Sequence, residues 1–124
     1  MADEITVTVR TQLSNGTLTD DFRPGNITVD QTTSGMSCQV LSIGTSEEDI
    51  TFGDVATEGV CTLYNLDATN YVLWGKKDGS GNMQAIGKLK PSHIPAVFNF
   101  NAGSTLRMQA NTAACKVRIC LYEE

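Results

Sequence analysis

Strict alternation of apolar and polar residues runs through this chain, and it leaves few folds open. In ITVTVR, Ile5, Val7 and Val9 fall on one phase and Thr6, Thr8 and Arg10 on the other. In ACKVRICLY, Cys115, Val117, Ile119 and Leu121 oppose Lys116, Arg118, Cys120 and Tyr122. A side-chain period of two is that of a β-strand with one buried face. NITVDQT repeats it through Ile27 and Val29, and EDITFG through Ile50 and Phe52. SCQVLSIG carries Cys38 and Val40 on one phase and Leu41 and Ile43 on the other, which predicts a bulge or burial on both sides. VCTLYNL and YVLWG are apolar on both phases, as central strands are. With NMQAIGKL, IPAVFNF and TLRMQA, about ten strands are expected, spaced as a β-sandwich or barrel requires.

Turn signals separate these runs. SNGT at Ser14–Thr17 holds an Asn-Gly hairpin signal. RPGN at Arg23–Asn26 predicts a Pro-Gly turn. KKDGSGN at Lys76–Asn82 and NFNAGST at Asn99–Thr105 read as longer loops. Pro95 has no N–H to donate, so HIPAVFNF belongs at a sheet edge or starts just after the proline. TSEEDI and ANTAAC each suit one helical turn, and no segment sustains a helical period. The expected fold is therefore all-β: an antiparallel, jelly-roll-like sandwich of about 8–10 strands with at most one or two short helical turns. At 124 residues it is expected to be one domain over 1–124.

Charge and composition narrow the function. The chain is acidic, with 9 Lys+Arg against 14 Asp+Glu, and no basic cluster exceeds Lys76–Lys77. That argues against direct nucleic-acid binding and against an anionic membrane surface. No apolar run approaches the ~18 residues of a membrane span. MADEITVTVR lacks the basic start and apolar run of a signal peptide, so synthesis in a cytoplasm is expected. The sequons at Asn15 and Asn26 then read as chance.

Reactive groups are sparse. Cys38, Cys61, Cys115 and Cys120 all lie in apolar runs without a CxxC, and His93 is the one histidine. The expected reading is reduced thiols acting as small core residues, not a zinc site, with one or two disulfides as the alternative if a particle matures outside a cell. Cys115 and Cys120, at odd spacing, fall on opposite faces and are not expected to bridge each other. Ser92–His93 shows no nucleophile elbow. The acids Glu47, Glu48, Asp49, Asp54 and Glu58 read as a solvated loop and not as a paired-carboxylate site. NLDATN offers Asn65, Asp67, Thr69 and Asn70 as oxygen donors for calcium, and KKDGSGN offers Asp78, Ser80 and Asn82. Neither fits the EF-hand pattern, and turn closure by side-chain to backbone bonds is the simpler use. Neither a catalytic residue nor a cofactor or metal ligand is assigned. Trp74 with Tyr71 would form a sugar-binding platform only if both rings were exposed together.

Three stretches carry a family resemblance: ITFGDVATEGVCTLYNLDATNYVLWG, IGKLKPSHIPAVFNF and QANTAACKVRICLYEE. They span Gly44 to the end, about two thirds of the chain, and resemble a group of small all-β virion proteins of tailed bacteriophages. Ser92 departs from that group, which usually has Gly after Lys-Pro. The resemblance implies a non-enzymatic structural component, a capsid decoration (cement) subunit or a small tail or neck accessory, without choosing between them, and the decoration subunit is the first expectation. A tail, neck or fibre accessory is the next reading, and a carbohydrate-binding sandwich is the alternative of another class. It also implies a homo-oligomer, the major capsid protein as partner, and a place in the virion after synthesis in the host cytoplasm. Candidate interface residues are Met1, Ala2, Asp3 and Glu4 at one end, Tyr122, Glu123 and Glu124 at the other, and the acidic loop Glu47, Glu48 and Asp49.

Overall fold

A computed structural model describes residues 4–31, 34–53, 55 and 57–124. Met1, Ala2 and Asp3 lie outside the described residues, so the interface expectation at those three positions does too. The contacts divide the chain into two compact units, one ending at Ser34 and one spanning Gly35–Glu123.

The first unit is a long antiparallel hairpin. Strand β1 (Ile5–Asn15) pairs with β2 (Leu18–Val29). Asn15 pairs with Leu18, so Gly16 and Thr17 form the two-residue loop, and Gly16 has φ 60°. Positive φ at the first central residue is what a type II′ turn needs, and glycine supplies it without a Cβ clash. The turn expected at Arg23–Asn26 is not formed, because β2 runs straight through it. The register steps from Val9↔Gly25 to Thr11↔Phe22, leaving Arg23 and Pro24 opposite Arg10. This is a bulge, which tolerates a proline without an N–H and a glycine at φ 84°. Since paired residues share a face, the register puts Ile5, Val7, Val9 and Leu13 beside Leu18, Phe22, Ile27 and Val29. The other face carries Thr6, Thr8, Arg10 and Gln12 with Asp21, Asn26 and Thr28.

Among the described residues, the second unit is an all-β sandwich of eight strands. They are β3 (Met36–Ile43), β4 (Glu48–Asp49), β5 (Glu58–Asn65), β6 (Val72–Lys77), β7 (Met83–Leu89), β8 (Ala96–Asn99), β9 (Leu106–Ala110) and β10 (Cys115–Glu123). One sheet has the order β3-β10-β5-β8 and the other β4-β9-β6-β7, and all pairings are antiparallel. Counting strands within this unit, the orders are first-eighth-third-sixth and second-seventh-fourth-fifth. That is the jelly-roll arrangement. β5 and β6 are central, as their apolar phases predict, and β8 begins at Ala96 on a free edge just after Pro95.

The inward phases form one core that includes Ile43, Leu63, Val72, Leu89, Met108 and Ile119, all essentially inaccessible. Each such side chain contributes roughly 1.5–3 kcal/mol through burial. Phe52, Trp74, Phe98 and Phe100 pack at its rim. Among the described residues there is no helix. In TSEEDI, Glu48 and Asp49 form β4, and in ANTAAC the chain bends straight into β10. β3 shows neither a register shift nor burial on both faces; its Met36, Cys38 and Val40 phase is exposed, as on an edge strand whose outer face is free.

Candidate functional site

NLDATN is a closed turn between β5 and β6. The Asn65 side chain is buried, donating from Nδ2 to Asn70 O (2.8 Å) and Leu89 O (3.0 Å) and accepting the Asp67 N–H at 2.9 Å. Asp67 Oδ2 accepts the Thr69 and Asn70 N–H groups at 2.9 and 2.6 Å. Those donors, Asn70 first, hold the Asp67 carboxyl below its ordinary range. Asn70 Oδ1 in turn accepts Thr112 Oγ1 at 2.6 Å. The side chains of Asn65, Asp67 and Asn70 thus accept from backbone amides and a hydroxyl, as turn closure requires. Asp78 does the same in the β6–β7 loop, where Oδ1 accepts Ser80 and Asn82 N–H at 2.8 and 2.9 Å.

The acidic loop also turns inward. Arg107 on β9 reaches it, with Nε 3.0 Å from Asp49 and Nη1 3.6 Å from Glu47. Glu47 accepts Met83 N–H at 3.1 Å, Glu48 accepts Gly44 N–H at 3.0 Å, and Asp49 pairs with Lys77 at 3.1 Å. Glu47 and Asp49 thus tie this segment to β9, β6 and β7, while Glu48 closes the local turn on Gly44. Glu4 accepts the Gln31 N–H at 3.0 Å and fastens the open end of the hairpin. At the other terminus Tyr122 is half-buried opposite Met36, Glu123 is buried with its N–H on Gly35 O, and Glu124 is exposed.

Trp74 is stacked on Phe98, with ring centroids 5.1 Å apart and planes 10° from parallel. Lys88 Nζ sits 4.3 Å above the Tyr71 ring. Each ring of the suggested sugar platform therefore already holds a partner. A groove of about 310 Å3 runs beside Trp74, bordered by Phe98, Phe100 and Ile86. Ile86 is the residue that the β6–β7 bulge leaves without a Cα partner, and the bulge turns it out to solvent. His93 is an exposed loop residue at the far side of Trp74. Its neighbour Ser92 has φ 47°, alone among the described non-glycine residues in that region. A glycine would take this conformation without the Cβ cost.

The cysteines correct the expectation of four reduced thiols. Cys38 and Cys120 are disulfide-bonded across β3 and β10, directly opposite each other in register. Cys61 and Cys115 are buried free thiols. Burial pushes Cys61 up to about 12 and also raises Cys115, so neither is an activated nucleophile. Cys115 and Cys120 do lie on opposite faces of β10.

Among the described residues, exposed apolar side chains also gather on two strand faces. On the hairpin, Leu18 and Phe22 are 59% and 55% exposed, with Leu13 and Ile27 beside them. On the outward face of the β3-β10-β5-β8 sheet, Met36 and Val40 are 59% and 55% exposed. Register carries that face across the sheet through Cys38, Cys120, Thr62 and Val97. The available signal was alternation itself, since a strand with apolar residues on both phases has a second face to cover.

No family model, curated protein or solved structure matches this chain.

Proposed function

We propose that the chain is a non-enzymatic structural subunit of a phage virion, foremost a decoration subunit that binds and stabilises the head shell as a homo-oligomer. The observation that carries this reading is the amphipathic hairpin, whose apolar tip stands in solvent in the single chain. A two-stranded hairpin is marginal in water by itself, and exposed apolar faces of this extent mark association surfaces. The resemblance of Gly44 onward to tailed-phage virion proteins supplies the particle. The jelly roll also suits the reading, being an architecture shared by capsid and lectin domains, although a fold alone does not choose between them. The partners already held by Trp74 and Tyr71 favour the structural reading over the sugar-binding one. Synthesis as reduced protein in the host, followed by oxidation after release, accommodates the Cys38–Cys120 disulfide.

The test is the copy number of this chain in purified particles, together with binding of the purified protein to shells that lack it. Decoration requires a copy number comparable with that of the major shell subunit, and shells that disrupt at lower temperature without it. A copy number matching a single ring at the tail or neck would replace decoration by the accessory reading. Absence from the particle would remove both.

A further inference from the structure

We propose that the apolar face of the hairpin docks on the outward face of the β3-β10-β5-β8 sheet of a second copy of this chain, making a head-to-tail contact. This rests on the reading of the chain as an assembling structural subunit, but not on which part of a particle it occupies. The two surfaces match in form. One is a two-stranded ribbon with Leu13, Leu18, Phe22 and Ile27 on one side. The other is a four-stranded sheet face displaying Met36, Val40 and Val97 around the disulfide. Apolar sheet faces pack on one another about 10 Å apart with interdigitated side chains.

They also match in charge. The hairpin's apolar face carries one charged side chain, Asp20, opposite Leu13, and Asp20 makes no ion pair among the described residues. Its neighbour Asp21 takes both Arg10 and Arg23 on the polar side. The sheet face carries two exposed cations, Lys116 and Arg118, and no carboxylate between Met36 and Ser42 on β3 or from Lys116 to Tyr122 on β10. Neither cation is in an ion pair among the described residues. Stacking one hairpin on another would instead bring two Asp20 side chains onto faces without a cation, which is unfavourable. Charge therefore selects the sheet face over a second hairpin. Because each copy carries both halves, the contact repeats from copy to copy and closes as a ring or continues as a filament.

Sedimentation of the purified full-length protein, with and without two substitutions, tests this. The wild type assembles, and its association weakens as salt is raised. Phe22→Asp and Val40→Asp each weaken association by roughly 10-fold or more while keeping the wild-type far-UV spectrum. Mixed together, they form a one-to-one pair and stop there. Phe22→Asp retains a sound sheet face and Val40→Asp a sound hairpin, so one contact survives between them. If Val40→Asp does not fold, Arg118→Glu replaces it, and Asp20→Arg in the same chain restores assembly. A wild type that stays monomeric at every concentration overturns the proposal. So does a Val40→Asp protein that assembles normally, the result expected of hairpin-on-hairpin stacking, and so does a mixture that fails to pair. Failure to bind shells, with self-assembly intact, would instead count against the virion reading alone.

Discussion

Asn65 is 1% exposed, yet all three of its hydrogen bonds are made to backbone groups, binding the NLDATN turn to the end of β7. A buried amide so satisfied fixes the turn, and removing it strands two carbonyls and an N–H. Asn65→Ala is expected to cost about 3 kcal/mol in chemical denaturation, since each unsatisfied buried group costs ~1–3 kcal/mol less whatever water recovers. Asn65→Asp should be worse at neutral pH, because a carboxylate would face two carbonyl oxygens, and should recover part of the loss on acidification as it protonates. Equal stability of the two variants at neutral pH would contradict this. Asp67 acts in the opposite sense. Its folded pKa is lowered from 3.8 by the Asn70 and Thr69 amides, so its contribution is present above that value and is lost as pH falls through the folded one. Thermal midpoints measured from neutral to acid should fall less steeply for Asp67→Ala than for the wild type. Parallel profiles would show that the turn does not depend on the charge.

At the scale of elements, the disulfide joins strands that are 82 residues apart in sequence. Closing a loop that long in the unfolded chain is worth up to about 4.5 kcal/mol on the chain-entropy account. Cys38→Ser with Cys120→Ser should therefore lower the thermal midpoint clearly while leaving the strand content intact. An unchanged midpoint would mean that the bridge constrains little. Spacing along the sequence could not reveal this pair, because opposition of Cys38 and Cys120 is a property of the β3–β10 register, and register between distant strands depends on the whole sheet order. Most strands are legible because they carry their own alternation, from ITVTVR to ACKVRICLY, and β5 and β6 because both of their phases are apolar. Pro24-Gly25 was misread for the same local reason: those residues favour a turn, but pairing on both sides of them converts it to a bulge. Glu47–Asp49 likewise looked like a free acidic loop, since nothing near them in sequence announces Arg107 as their partner.

For the whole molecule, the division into a hairpin and a jelly roll sets where stability resides. Every member of the main core cluster, from Ile43 to Leu121, comes from the second unit. An eight-stranded sandwich with its own core and a disulfide has what independent folding requires, whereas a two-stranded ribbon does not. A chain starting at Gly35 is thus expected to fold and to melt cooperatively, with a midpoint near that of the full protein in its dissociated form. Residues 1–34 as a peptide should be monomeric and largely unstructured by circular dichroism. The comparison must be made at a concentration where the full chain is dissociated, because any association adds stability that depends on concentration. An unfolded chain from Gly35 would show that the hairpin supplies part of the sandwich's stability. The division into two units would then describe proximity in space without describing how folding energy is shared.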